Sequence, residues 1–153
     1  MRVRPADPPH HTVAELADQL GVAGGADVDL TGISLSTDHV EPGDLYAALP
    51  GSRTHGADHA AAAVEAGAAA ILTDADGAAR VERLDVPTLV VEEPRARLAD
   101  LSAWFHGHPA GAFTTIGVTG TQGKTTMTYL AEAALGTRRS AVVGTIGIRP
   151  RRP

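Results

Sequence analysis

The feature that most restricts how this chain can fold is an alternation of short apolar runs with helical stretches, each closed by glycine or proline. Thr12-Val13-Ala14-Glu15 has the capping-box form and Gly21 supplies a stop, which predicts a first helix between them. Residues 28–35 alternate apolar and polar around Gly32, so one strand with a slip or bulge at the glycine is expected. Glu41-Pro42-Gly43-Asp44 marks a turn, 45–49 a buried strand closed by Pro50-Gly51, and 52–56 a loop. Asp58 is expected to cap a helix running to Ala66. A strand at 69–73, a weak helix at 75–84, a β-branched strand at 88–91 and a helix at 94–105 with Pro94 in its first turn complete the series. This succession predicts an α/β sheet with helices packed on it.

His106-Gly107-His108-Pro109-Ala110-Gly111 breaks the last helix, and the linker is placed at 107–112 between domains at 12–106 and 113–153. Beyond it a strand from 113 or 114 to Thr119, a glycine loop, a helix at 124–135 and a strand at 141–146 make one βαβ unit. Some forty residues suffice for that unit but not for a whole nucleotide-binding domain, so the second domain is expected to be truncated. Its closing Arg149-Pro150-Arg151-Arg152-Pro153 looks unlike a continuing α/β domain and fits a shifted reading frame. Residues 1–11 carry Pro5, Pro8 and Pro9 without an apolar stretch, which predicts a disordered N-terminus with no signal peptide and a cytoplasmic location. No run reaches the length of a membrane span, so no membrane insertion is expected.

The strongest chemical signal is Gly120-Thr121-Gln122-Gly123-Lys124-Thr125-Thr126, between a predicted strand and a predicted helix. Of 13 basic residues in the 153, Lys124 is the single lysine. Glycines let backbone N–H groups turn toward phosphates, the helix N-terminus adds its positive end, lysine reaches the outer phosphates and Thr125 can ligate magnesium. The strict spacing G-x-x-x-x-G-K-[ST] fails because position 118 is Val118, leaving a shorter G-T-x-G-K-T-T form. A formal net charge of -5 argues against a nucleic acid partner, and zero cysteines exclude disulfides and thiolate chemistry.

Other constellations read as structural. His55 and His59 stand four apart, but with Gly56 between them and no following glutamate they are expected in a surface or loop role. His106 and His108 read as solvated linker residues, and Asp74 and Asp76 as a helix-capping turn. Trp104 and Phe105 read as core, and Arg138-Arg139 as a solvated pair at a helix C-terminus.

These motifs together resemble the Mur ligases of peptidoglycan synthesis, whose ATP loop has the G-T-x-G-K-T-T form. Gly43-Asp44-Leu45-Tyr46-Ala47-Ala48-Leu49-Pro50-Gly51 looks like the uridine-nucleotide domain of the member that adds the third residue of the stem peptide, and Gly144-Thr145-Ile146-Gly147 is similar to the segment beyond its ATP loop. The resemblance implies an N-terminal UDP-sugar-binding α/β domain followed by the start of a P-loop ATPase domain. It implies ATP and Mg2+, with Gly120, Thr121, Gln122, Gly123, Lys124, Thr125 and Thr126 on the nucleotide and Thr125 on the metal. It also implies uridine contacts at Leu35 and Thr37, with Ser52, Arg53 and Thr54 in the loop that meets the nucleotide sugar. The implied reaction converts a carboxylate of UDP-N-acetylmuramoyl-L-alanyl-D-glutamate to an acyl phosphate, which the amine of meso-diaminopimelate or L-lysine attacks. Two positions depart from the family pattern: Asp38 stands where arginine is usual, and Gln122 where asparagine is common.

Two alternatives stand beside this reading. One is a non-catalytic UDP-sugar-binding module left by truncation or frameshift, since further magnesium ligands and the amine site lie in later parts of such ligases. The other, a folate-polyglutamate or cyanophycin synthetase on the same loop, is opposed by the segment 43–51.

Overall fold

The computed structural model describes residues 4, 5 and 7–151, and they form two compact units, Met1–Ala112 and Phe113–Pro153.

The first unit opens with β1 (His11–Thr12) and α1 (Val13–Leu20). Thr12 accepts the Glu15 N–H while Glu15 reaches back to the Thr12 N–H, and Gly21 ends the helix with φ +68°. The capping box thus satisfies two N–H groups that a helix start leaves without partners. Val13, Leu16, Ala17 and Leu20 form its buried face. The expected single strand at 28–35 is instead two: β2 (Asp29–Leu30) pairs antiparallel with β1, and β3 (Gly32–Ser34) pairs parallel with β4 (Asp44–Ala47). The break falls where the chain leaves one sheet for another, a tertiary event that period-2 alternation does not report.

After β4 come a 3-10 turn (Gly56–His59), α2 (Ala60–Glu65), β5 (Ala68–Thr73), α3 (Ala75–Val81), β6 (Thr88–Val90) and α4 (Pro94–Phe105). Asp58 is not the cap of α2. Its carboxylate accepts the His55 N–H and closes the capping box of the preceding 3-10 turn. The four-stranded parallel sheet runs in chain order β3-β4-β5-β6. β4 is buried on both faces, as a central parallel strand should be. Leu45 and Ala47 face α1 and α4 in a cluster with Leu16, Leu72, Leu101 and Phe105, while Tyr46 and Ala48 face Ala60, Ala63 and Val81 from α2 and α3. Successive side chains on β4 therefore feed two cores.

Arg4 is not part of a disordered segment: its guanidinium grips Asp44, and His11 lies in β1 with its ring 4.2 Å from that of Trp104. Residues 5 and 7–10 form neither helix nor strand, and residues 1–3 and 6 lie outside the described residues. His106 and His108 are solvated, and Asp74 caps α3, both as expected.

In the second unit α5 (Lys124–Ala134) forms where expected, but residues 114–119 make no strand. β7 (Ser140–Gly144) pairs antiparallel with β8 (Gly147–Arg151) around Thr145 and Ile146. The expected βαβ unit is therefore replaced by a helix and a hairpin, and residues 149–151 continue a strand rather than interrupt one. Two strands of a parallel sheet need neighbours to complete their hydrogen bonds and bury both faces, whereas a two-residue hairpin closes on itself. Arg152 and Pro153 lie outside the described residues. Arg138 and Arg139 are exposed, as expected, in the turn after α5.

Candidate functional site

Both groups of expected uridine contacts follow the carboxyl ends of adjacent parallel strands, the edge at which open α/β sheets bind ligands. Leu35 comes directly after β3 and is 56% exposed. It lines a groove of about 400 Å³ with Arg4, Ser34, Ser36, His39 and Glu41. Thr37, in the 3-10 turn Thr37–His39, and the loop 52–54 are not among the lining residues. The structure thus brings Leu35 to a groove and sets Ser52, Arg53 and Thr54, all exposed, on the loop after the neighbouring strand.

Arg4, which sequence reasoning did not single out, lines the same groove. Nη1 donates to Asp44 Oδ1 at 2.7 Å, Nη2 donates to Asp44 Oδ2 and, at 3.2 Å, to the His39 carbonyl, and Nε stands 3.5 Å from Glu41. Asp44 is fully buried and also accepts the Glu41 N–H. Its hydrogen bonds raise the Arg4 pKa above the ordinary arginine value. A Cβ at Gly32 would fall on this ion pair and displace it. Asp38 carries no cation to this groove; Arg4 supplies one from far earlier in the chain. The available signal was Asp44 itself, since a carboxylate in a strand between two cores demands a cationic partner.

The loop 52–54 is closed at its base. Pro50 and His55 form an antiparallel bridge, and the Gly51 N–H donates to the Thr54 carbonyl at 3.2 Å. Of the surface or loop role expected for His55 and His59, His55 keeps the loop position but is buried, while His59 is exposed. His55 Nδ1 accepts the Ala57 N–H at 3.0 Å, so the proton sits on Nε2, which donates to Asp74 Oδ1 at 3.1 Å. The Gly77 N–H bond holds the Asp74 carboxyl below its usual range against the opposing cost of burial, and His55 adds to the effect.

The residues expected to form an ATP loop lie in the second unit. Gly123, with φ +77°, leads into α5, whose N-terminus no side chain caps. Lys124 Nζ donates to the Gly120 carbonyl and, at 3.4 Å, to that of Thr121, which curls the loop around its own cation. Lys124 and Thr125 line a cleft of about 350 Å³ with Thr128, Tyr129 and the β7–β8 turn. Gly120, Thr121, Gln122, Gly123 and Thr126 are exposed and lie outside that lining. Glu132 is buried and bound by Arg149, which also stacks 4.5 Å over the Tyr129 ring. Among the described residues no group of three or more His, Asp or Glu could hold a metal. Thr125 offers one hydroxyl, which fits a magnesium ion taking its other ligands from phosphate and water.

Residues 29–106 match the family model described as Mur ligase family, catalytic domain. The chain belongs to the Mur ligase family. It is 51% identical, over 90% of its length, to the UDP-N-acetylmuramoyl-L-alanyl-D-glutamate--2,6-diaminopimelate ligase of Streptomyces coelicolor, and spans 28% of that protein. A solved UDP-N-acetylmuramoyl-L-alanyl-D-glutamate--2,6-diaminopimelate ligase shares the fold, with a TM-score of 0.61 at 23% identity over 92% of this chain and 28% of that one. A MurF ligase of Thermotoga maritima, solved in complex with ADP, is 31% identical with a TM-score of 0.51 over 71% of this chain and 24% of its own. Among the described residues no helix is long and apolar enough to cross a membrane.

Proposed function

We propose that this Mur ligase chain carries the nucleotide-sugar-binding unit and the ATP loop of a ligase that joins diaminopimelate to UDP-N-acetylmuramoyl-L-alanyl-D-glutamate. The observation that supports this most is the 51% identity to the diaminopimelate ligase of Streptomyces coelicolor across nearly the whole chain. The placement of Leu35 and of loop 52–54 after adjacent parallel strands agrees with it. On this reading residues 12–106 are the UDP-sugar domain, 107–112 the linker and 113–153 the start of the ATP-binding domain. ATP would supply the phosphoryl group that turns a substrate carboxylate into an acyl phosphate, with the β–γ phosphoanhydride broken and ADP as the leaving group. Lys124 would offset charge on the outer phosphates, the Thr125 hydroxyl would help hold a magnesium ion that neutralises charge there, and the uncapped first turn of α5 would add N–H donors. The amine then displaces phosphate from the acyl group, forming the amide.

The test is thermal denaturation with and without UDP-N-acetylmuramoyl-L-alanyl-D-glutamate. A ligand bound only by the folded state at a hundredfold excess over Kd adds about 2.7 kcal/mol, so a concentration-dependent rise in Tm is expected. Thr37→Val should weaken binding by about 0.5–1.5 kcal/mol, the net worth of one hydrogen bond. No rise in Tm would overturn the assignment. The second reading is a binding module without catalysis. Phosphate release with ATP, magnesium, the UDP-dipeptide and diaminopimelate separates the two.

A further inference from the structure

Within the proposed nucleotide-sugar unit, His55 has no role in the reading above, yet it is the most heavily constrained side chain near the loop assigned to the ligand. The side chains of Ser52, Arg53 and Thr54 make no hydrogen bond within the described residues, so nothing at the loop tip fixes its shape. The base does. His55 follows Thr54 directly, pairs through its backbone with Pro50, and buries an imidazole that ties two segments together. Nδ1 takes the Ala57 N–H of the 3-10 turn and Nε2–H gives to Asp74, the residue after β5. The ring is closely packed on the α3 side, where a Cβ at Gly77 would meet Thr73 first and would also stand 2.7 Å from His55 Cε1. Neither ring nitrogen is free to meet a ligand.

We propose that His55 is a positioning residue for the nucleotide sugar, locking loop 52–54 to the turn after β5 in the shape that receives the ligand. The inference rests on the assignment of that loop to the nucleotide sugar. A histidine that served only as a turn cap would need Nδ1 alone; the second bond, to a residue 19 positions away, is what couples the loop to the neighbouring strand. The coupling works because a buried ring satisfied at both nitrogens has one tautomer and one orientation.

The experiment uses the 153-residue chain, with affinity for UDP-N-acetylmuramoyl-L-alanyl-D-glutamate read by calorimetry and folding read by thermal melts. His55→Ala should weaken binding about tenfold. His55→Asn, which returns an acceptor for the Ala57 N–H but does not reach Asp74, should recover only part of that loss. Asp74→Ser keeps a cap for α3 while removing the Nε2 partner, and should weaken binding roughly threefold or more with His55 unchanged; it carries the test if His55→Ala does not fold. Imidazole 15N shifts of the unaltered chain should report the Nε2–H tautomer. A folded His55→Ala or Asp74→Ser that binds within twofold of the unaltered chain overturns the inference while leaving the functional reading intact. Absence of binding by the unaltered chain removes both.

Discussion

The two units of this chain face the same physical requirement and meet it to different degrees. In the first, a parallel sheet carries helices on both faces, and Leu16, Leu45, Ile71, Leu72, Leu101 and Phe105 are withdrawn from water. In the second, the residues that ought to do the same work stay exposed: Phe113, Ile116, Leu130, Val143 at 72% and Ile146 at 75%. The first unit stacks three layers and the second does not. A helix and a hairpin offer each apolar side chain one neighbouring surface at most, and two strands alone are marginal in water. The apolar side chains of 113–151 thus lack the covering layers that the first unit has among the described residues, and the chain spans 28% of its Streptomyces coelicolor relative.

The sharpest way to break this contrast is to truncate one side chain in each unit. Phe105→Ala, in a fully buried position, should cost about 3–5 kcal/mol, while Val143→Ala should stay within about 0.5 kcal/mol. Urea denaturation followed by circular dichroism measures both. Equal losses would mean that the hairpin is packed as tightly as the sheet.

Each unit also holds one buried carboxylate under an arginine, which sharpens the comparison. Arg4→Ala strands the fully buried Asp44 between two cores and should destabilise the first unit by about 2–3 kcal/mol, below the full cost of an uncompensated buried charge because Arg4 is itself partly solvated. Arg149→Ala should cost less than about 1 kcal/mol, since Arg149 is 55% exposed and Glu132 can turn outward from a loosely built helix. Chemical denaturation of the two variants decides this.

The smallest effect expected is on acid stability. Hydrogen bonds from Thr12 to Glu15, from Arg80 to Asp58 and from Gly77 to Asp74 hold these three carboxyls of the first unit below their ordinary values. A depressed folded pKa stabilises the charged form, so the benefit is complete above about pH 4, the unfolded value, and is lost as pH falls through the folded one. Melts of the unaltered chain should show a constant Tm from pH 6 to about pH 4.5 and a decline below that, with Asp74→Ser shallower. A Tm that rises on acidification would reverse the assignment.

Local chemistry by itself determined a good deal of this protein. The Thr12 and Glu15 capping box, the Gly21 stop, Asp74 as a cap and Pro94 at the head of α4 lie where their side chains place them, because such bonds span only a few residues. The loop 120–126 is legible for the same reason. Tertiary structure decided what depends on distant partners. It parted β2 from β3 by giving each a different neighbour, brought Arg4 across to Asp44, and buried His55 by setting Asp74 beside it. It also turned 140–151 into a hairpin, because a β pattern states which face is apolar but not which strand will cover it, and among the described residues of this unit the strand that pairs with β7 is the next one along the chain.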